Sequence, residues 1–162
     1  MRLFIGIKLD KKAIKKIDSY MNYLYQNGIS GTYTKTNNIH LTLEFLGEVD
    51  KDKVSKLLDI INSVDISKLE YLEIDKTKML KSIITLNVVK SDILLEVQKE
   101  LHLKLKVNGF NLQERPYSPH ITLVREASKS FEENIKVVSV VSKITLFESV
   151  RINNSLVYKE LN

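Results

Sequence analysis

Two stretches of this sequence follow one order: a helical run closed by Asn-Gly, a loop, then a strand beginning His-x-Thr-Leu. The first carries Ala13, Ile14, Ile17, Met21, Leu24 and Tyr25 to Asn27-Gly28, then reaches His40-Leu41-Thr42-Leu43. The second carries Ile93, Leu94, Val97, Leu101 and Leu105 to Asn108-Gly109, then reaches His120-Ile121-Thr122-Leu123. Apolar residues three and four apart predict helices, and Gly after Asn is a common helix stop. The two His-x-Thr-Leu segments lie eighty positions apart, which excludes a short local repeat. The chain is therefore expected to build two roughly equivalent lobes with one such strand in each.

The remaining elements fit around these. Residues 2–9 alternate Leu3, Ile5, Ile7 and Leu9 against Arg2, Phe4, Gly6 and Lys8, which predicts an opening strand. Asp10, Asp50 and Ser91 each stand where a helix N-cap is needed, and Val54, Leu57, Leu58, Ile60 and Ile61 form the buried face of a second helix. Two strands alternate around Lys81-Ser82, and two or three more close the chain. The order β-α-β-α-β-β, then α-β-β-β-β, lacks the long alternation of a doubly wound parallel sheet, so the fold class is α+β. Nothing resembles an interdomain linker, and residues 1–162 read as a single domain.

Side chains at i and i+2 of a strand share a face. His40 and Thr42 are expected to project together, with Leu41, Leu43 and Phe45 pointing into a core behind them. His120 and Thr122 project together over Ile121 and Leu123. Strands meeting across a groove would bring together two imidazoles and two hydroxyls. That set suits a phosphodiester, whose nucleophile and leaving oxygen lie roughly in line on opposite sides of phosphorus. One neutral and one protonated imidazole can divide the proton transfers near neutral pH, and hydroxyls can donate to the non-bridging oxygens. Two of three histidines sharing the pattern by chance is on the order of one in a hundred. His102, the third, sits in a helical run without matching context and reads as a surface or boundary residue. No metal-ligand spacing is present, so no metal is expected.

Composition is permissive. A net charge of +5 favours an anionic partner such as nucleic acid, although 20 acidic residues are interspersed with the 25 basic ones. The absence of cysteine excludes disulfides, thiolate zinc sites and cysteine nucleophiles. No apolar run approaches the roughly 18–20 residues that span a bilayer. The opening residues lack the apolar core and cleavage site of a signal peptide, so a cytoplasmic protein is expected.

With these residues in view, the sequence resembles the 2H phosphoesterase superfamily, and within it the LigT-like RNA 2′,3′-cyclic phosphodiesterases of bacteria and archaea. The likeness runs from "MRLFIGIKL" through "NIHLTLEFLGEV" and "RPYSPHITLVR" to the closing "KITLFESV" and "SLVYKEL". It implies two pseudo-symmetric lobes of antiparallel sheet, helices packed outside, a central cleft, and no cofactor or metal. It also implies that His40 donates a proton to the leaving ribose oxygen and that His120 accepts one from water. Thr42 and Thr122 would hold the phosphate, and the product would be a 2′-phosphomonoester. Reverse joining of RNA ends through a 2′–5′ bond is also known among relatives. Arg125 matches a family arginine near the cleft, while Phe4, Tyr117 and Arg115 are further candidates for substrate contact. Relatives often carry a Trp shortly before the first histidine; this chain has none, and Tyr33 is the candidate for its place. The expected partner is RNA or a nucleotide with a 2′,3′-cyclic phosphate, bound by a monomer. The competing readings are a 2′–5′ oligonucleotide or ADP-ribose cyclic phosphate phosphodiesterase, and a nucleotide-binding module of the same fold.

Overall fold

The computed structural model describes residues 1–162. Its strands are β1 (Arg2–Lys8), β2 (Thr32–Tyr33), β3 (His40–Glu48), β4 (Tyr71–Leu80), β5 (Ile83–Val88), β6 (His120–Arg125), β7 (Asn134–Val140), β8 (Thr145–Ile152) and β9 (Ser155–Leu161). Its helices are α1 (Lys11–Gln26), α2 (Val54–Ser63) and α3 (Asp92–Val107). The element order matches the sequence reading, with the two-residue β2 added inside the stretch read as turns.

Every strand pairing is antiparallel. The first sheet has the order β3-β1-β8-β9 and the second β2-β6-β5-β4-β7. Each sheet thus draws on both halves of the chain, and each contains one His-x-Thr strand. The two relate as β1-α1-β3 to β5-α3-β6, a strand pair joined by a long helix. Neither helix lies on its own sheet. α1 packs beside β7 of the second sheet, where the Asp10 amide donates to Ser139 Oγ over 2.8 Å and Tyr20 Oη donates to Glu133 over 2.7 Å. α3 packs beneath β3 of the first, where Gln98 Nε2 donates to Glu44 over 2.9 Å. One contiguous cluster of 33 buried apolar residues runs through both sheets and all three helices, so the exchange buries both lobes in shared material.

Local chemistry explains the helix ends. The Asp10 carboxylate accepts from the Ala13 amide over 2.8 Å, and Ser91 Oγ accepts from Leu94 over 3.1 Å. At the other ends, Gly28 and Gly109 have φ of +80° and +89°, the left-handed conformation in which a side chain is disfavoured. Asp50 departs from expectation. It precedes a short 3-10 turn over Lys51–Lys53, makes no side-chain cap, and leaves Lys53 at the N-cap of α2.

Candidate active site

Strands β3 and β6 approach one another where the two sheets meet. On β3, His40 pairs with Lys8 and Thr42 with Gly6 of β1; on β6, His120 pairs with Asn87 and Thr122 with Thr85 of β5. All four motif residues are partly exposed, whereas Leu41, Ile121 and Leu123 behind them are fully buried. Gly6 lets β3 lie this close. A Cβ there would sit 2.5 Å from the Leu41 carbonyl oxygen and 3.5 Å from His40 Cδ2.

Both imidazoles are held alike. His40 Nδ1 lies 2.7 Å from the carbonyl oxygen of Asn38, and His120 Nδ1 lies 2.8 Å from that of Ser118, in each case two residues upstream. A carbonyl oxygen only accepts, so Nδ1 carries the hydrogen in both rings and Nε2 is left for proton exchange. His40 Nε2 sits 2.8 Å from Thr42 Oγ1. Neutral His40 accepts from that hydroxyl, and protonated His40 donates to it, freeing the hydroxyl hydrogen for another acceptor.

Each motif strand carries a β-bulge at the leucine after its threonine. On β3, Thr42 opposes Gly6 and Glu44 opposes Ile5, leaving Leu43 without a partner. On β6, Thr122 opposes Thr85 and Val124 opposes Ile84, leaving Leu123 without one. An extra residue reverses the alternation beyond it. The fifth residue after each histidine therefore returns to the His/Thr face: Phe45 in one strand, Arg125 in the other. This corrects the expectation that Phe45 enters the core, for its side is 50% exposed. Glu44 turns the opposite way and is buried against α3.

His40 is enclosed by aromatic rings. The Phe4 centroid is 4.8 Å away, Phe147 is 6.0 Å away, and Tyr158 meets the ring edge-on at 5.2 Å. Burial lowers the His40 pKa below its ordinary value; the Asn38 carbonyl opposes this, and the charges of Arg125 and His120 add to it. Arg125 is exposed and forms no salt bridge, which leaves its charge free for an anion.

The other candidates are placed differently. Phe4 is only 4% exposed and stacks on Phe147, so it walls the His40 pocket and offers no open face to a base. Tyr117 donates from Oη to the Thr42 carbonyl over 2.7 Å, and burial, with the nearby Glu44 charge, pushes its phenol pKa up. Arg115 is exposed in the loop before β6. Tyr33 lies on the far side of β6, where it packs edge-on to Tyr25 of α1 and donates to the Ile29 carbonyl. His102 is no isolated surface residue: it contacts Glu44 through Nδ1 and Glu114 through Nε2. No group of three or more His, Cys, Asp or Glu side chains is arranged to hold a metal ion. No helix is long and apolar enough to cross a membrane.

The sequence reading missed Asn38 and Tyr158. Asn38 is 7% exposed; its Nδ2 donates to the Leu156 carbonyl over 2.9 Å, and its own carbonyl holds His40. In the sequence Asn38 is one more residue of a turn-rich stretch, and nothing there ties it to β9.

The chain is similar to known proteins. Residues 7–83 match the family model described as LigT like phosphoesterase. A protein of Thermotoga maritima named RNA 2′,3′-cyclic phosphodiesterase is 31% identical over 134 residues, covering 77% of this chain and 70% of its own. The chain belongs to the LigT-like phosphoesterase family. A second relative of the same name, from Methanocaldococcus jannaschii, is 31% identical over 127 residues, covering 77% of this chain and 71% of its own. The crystal structure of E. coli LigT complexed with 3′-AMP has a TM-score of 0.83 at 24% identity, covering 99% of this chain and 95% of that one, a likeness of fold. The family resemblance read from the two motifs is thus borne out.

Proposed function

We propose that this LigT-like phosphoesterase opens RNA 2′,3′-cyclic phosphate ends to 2′-phosphomonoesters, with His40 and His120 sharing the proton transfers. The observation that carries this is the matched pair of imidazoles, each with Nδ1 tied to a backbone carbonyl so that Nε2 is the nitrogen that exchanges a proton. The curated relatives bear the name of this activity, and E. coli LigT, of the same fold, was crystallised with a nucleotide.

His120 Nε2 takes a proton from water as the water oxygen bonds to phosphorus. The bond from phosphorus to the 3′ oxygen breaks on the opposite side, and that oxygen takes the proton of His40 Nε2. The 2′ oxygen keeps the phosphate. Thr42 and Thr122 donate to the non-bridging oxygens. Arg125 offsets the phosphate charge. The donor and acceptor assignments follow the family likeness, since the Nδ1 anchors of the two rings are equivalent. The same reading takes residues 1–162 as one domain, a cytoplasmic monomer without a metal.

Incubation with an oligoribonucleotide ending in a 2′,3′-cyclic phosphate, in EDTA, tests this. A 2′-phosphate product is expected, with kcat lowered at least about a hundredfold by either His40→Ala or His120→Ala. Loss of turnover in EDTA, or a 3′-phosphate product, would overturn it. No turnover at all would shift attention to 2′–5′ linked substrates.

A further inference from the structure

Asn87 stands directly across from His120, and the proton transfers described above make no use of it. The Val88 amide donates to the Pro119 carbonyl over 3.2 Å, so those two residues form a hydrogen-bonded pair of the antiparallel ladder. The next pair along, Asn87 with His120, is then of the other kind, in which Cα atoms approach to about 4.5 Å and side chains come closest. Both side chains lie on the face that bears Thr122, opposite the buried Leu86, Val88 and Ile121.

The Asn87 amide is held in one orientation. β4 bulges at Asp75: Ile74 opposes Val88 and Lys76 opposes Asn87, which leaves Asp75 as the extra residue. From there its carboxylate accepts from Asn87 Nδ2 over 2.8 Å. A carboxylate only accepts, so the arm of the amide turned towards β4 is the NH2, and the carbonyl arm diverges from it, away from β4. No hydrogen bond within the protein reaches that Oδ1. Beside the other histidine the corresponding residue is Lys8, which pairs with His40 across β1 and β3. Lys8 has no acceptor to offer, and its ammonium lies 3.0 Å from Glu160. The two rings share their anchors but not their neighbours: a free acceptor beside His120, a donor-only side chain beside His40.

We propose that Asn87 Oδ1, locked by Asp75, accepts the second hydrogen of the attacking water. This rests on the hydrolase reading above and deepens it. One hydrogen of the water passes to His120 Nε2 as the oxygen bonds to phosphorus; the other stays on that oxygen and is held by Asn87. Two acceptors fix the plane of the water and direct a lone pair at phosphorus. On the far side the 3′ oxygen leaves with the proton of His40 and carries no second hydrogen to be held. The difference between the neighbours of the two rings thus matches the difference between nucleophile and leaving group. Asp75 is a positioning residue that acts through Asn87.

Methanol separates this role from a structural one. Its single hydroxyl hydrogen goes to His120, its methyl group takes the place of the second hydrogen, and its product is a 2′-methyl phosphate diester. The full chain is incubated with adenosine 2′,3′-cyclic phosphate in aqueous methanol, and the ratio of methyl ester to 2′-phosphate is read by phosphorus NMR. This ratio does not depend on how much of a variant is folded. Asn87→Leu is expected to lower hydrolytic kcat about tenfold and to raise the ratio by a similar factor. Asp75→Ala is expected to shift it the same way by less. Asp75→Asn combined with Asn87→Asp keeps both the bond between the strands and an acceptor for the water, and is expected to return the ratio to that of wild type. An unchanged ratio in Asn87→Leu, or a double variant shifted as far as Asn87→Leu, would overturn the inference. Where neither wild type nor Asn87→Leu forms the ester, kcat in water decides: a tenfold loss with KM and melting temperature unchanged supports the inference, and a native kcat sinks it. A wild type that opens no cyclic phosphate ends the hydrolase reading and this one with it, whereas an active wild type beside an unmoved ratio ends this one alone.

Discussion

Tyr117 Oη donates to the Thr42 carbonyl over 2.7 Å, and this bond joins the loop before one motif strand to the middle of the other. It spans the cleft, so it helps set how far apart the two imidazoles stand. Removing the hydroxyl strands a partly buried carbonyl at a cost of about 1–3 kcal/mol. Tyr117→Phe is expected to lower thermal stability by that amount and to reduce kcat/KM by about tenfold. A variant matching wild type in both respects would show that the spacing is set by the core alone.

Gly6→Ala tests the close approach of β1 and β3. The added methyl meets backbone, the Leu41 carbonyl, and that strand cannot yield without moving His40. Overpacking of this kind costs about 1–3 kcal/mol, and activity is expected to fall more steeply than stability. Kinetics and denaturant titration of the same preparation check this, and a variant with native kcat would refute it.

The aromatic enclosure keeps His40 hard to protonate. Its NMR titration is expected below the ordinary value of about 6.5. Tyr158→Ala admits water and is expected to move it upward. The sign of the stability effect follows. With a lowered folded pKa, the unfolded chain binds the proton more readily, so stability falls as pH drops from about 6.5 towards the folded value. That acid loss shrinks in Tyr158→Ala. An unmoved titration would mean that Tyr158 does not shield the ring.

The donor role of His40 can be separated from the acceptor role of His120. A substrate with sulfur in place of the bridging 3′ oxygen expels a thiolate, which needs no proton. Turnover of this substrate by His40→Ala is expected within about tenfold of wild type, since the contribution of the general acid, ~10²–10⁴, is no longer required. His120→Ala is expected to stay inactive. Rescue of His120→Ala instead would exchange the two roles.

A different pH effect belongs to α3. Burial pulls the His102 pKa down, but its bonds to Glu44 and Glu114 outweigh this and raise it above the usual imidazole value. A raised folded pKa contributes stability in full below the unfolded value of about 6.5 and loses it as pH rises through the folded one. Thermal melts are expected to show this alkaline loss in wild type and not in His102→Gln. Identical pH dependence in both would assign the loss elsewhere.

The placement of the two motifs was legible because its signal is local: a repeated His-x-Thr needs only strand alternation to be interpreted. The caps at Asp10 and Ser91 were legible for the same reason. Phe45 was not. Leu43 is apolar and is buried whether it lies in register or bulges, so the phase reversal leaves no mark in composition. Asp50 looked like a cap because its residue type is right, but the chain first makes a 3-10 turn. Asn38 and Tyr158 act through partners about 120 positions distant, and pairing at that range is a tertiary fact. His102 appeared idle since Glu44, with which it pairs, was reached only through the bulge.

The first sheet also dictates an order of events. Its inner strand β1 is made long before its partner β8, and β9, on the other side of β8, is made later still. The enclosure of His40 needs Tyr158, and the anchor on Asn38 needs the Leu156 carbonyl. During synthesis from the N-terminus, the first histidine therefore waits, solvated and unpositioned, until β9 arrives. Competence is conferred only once β9 has been made, so a nascent chain that stalls before it holds both motifs and is still inert.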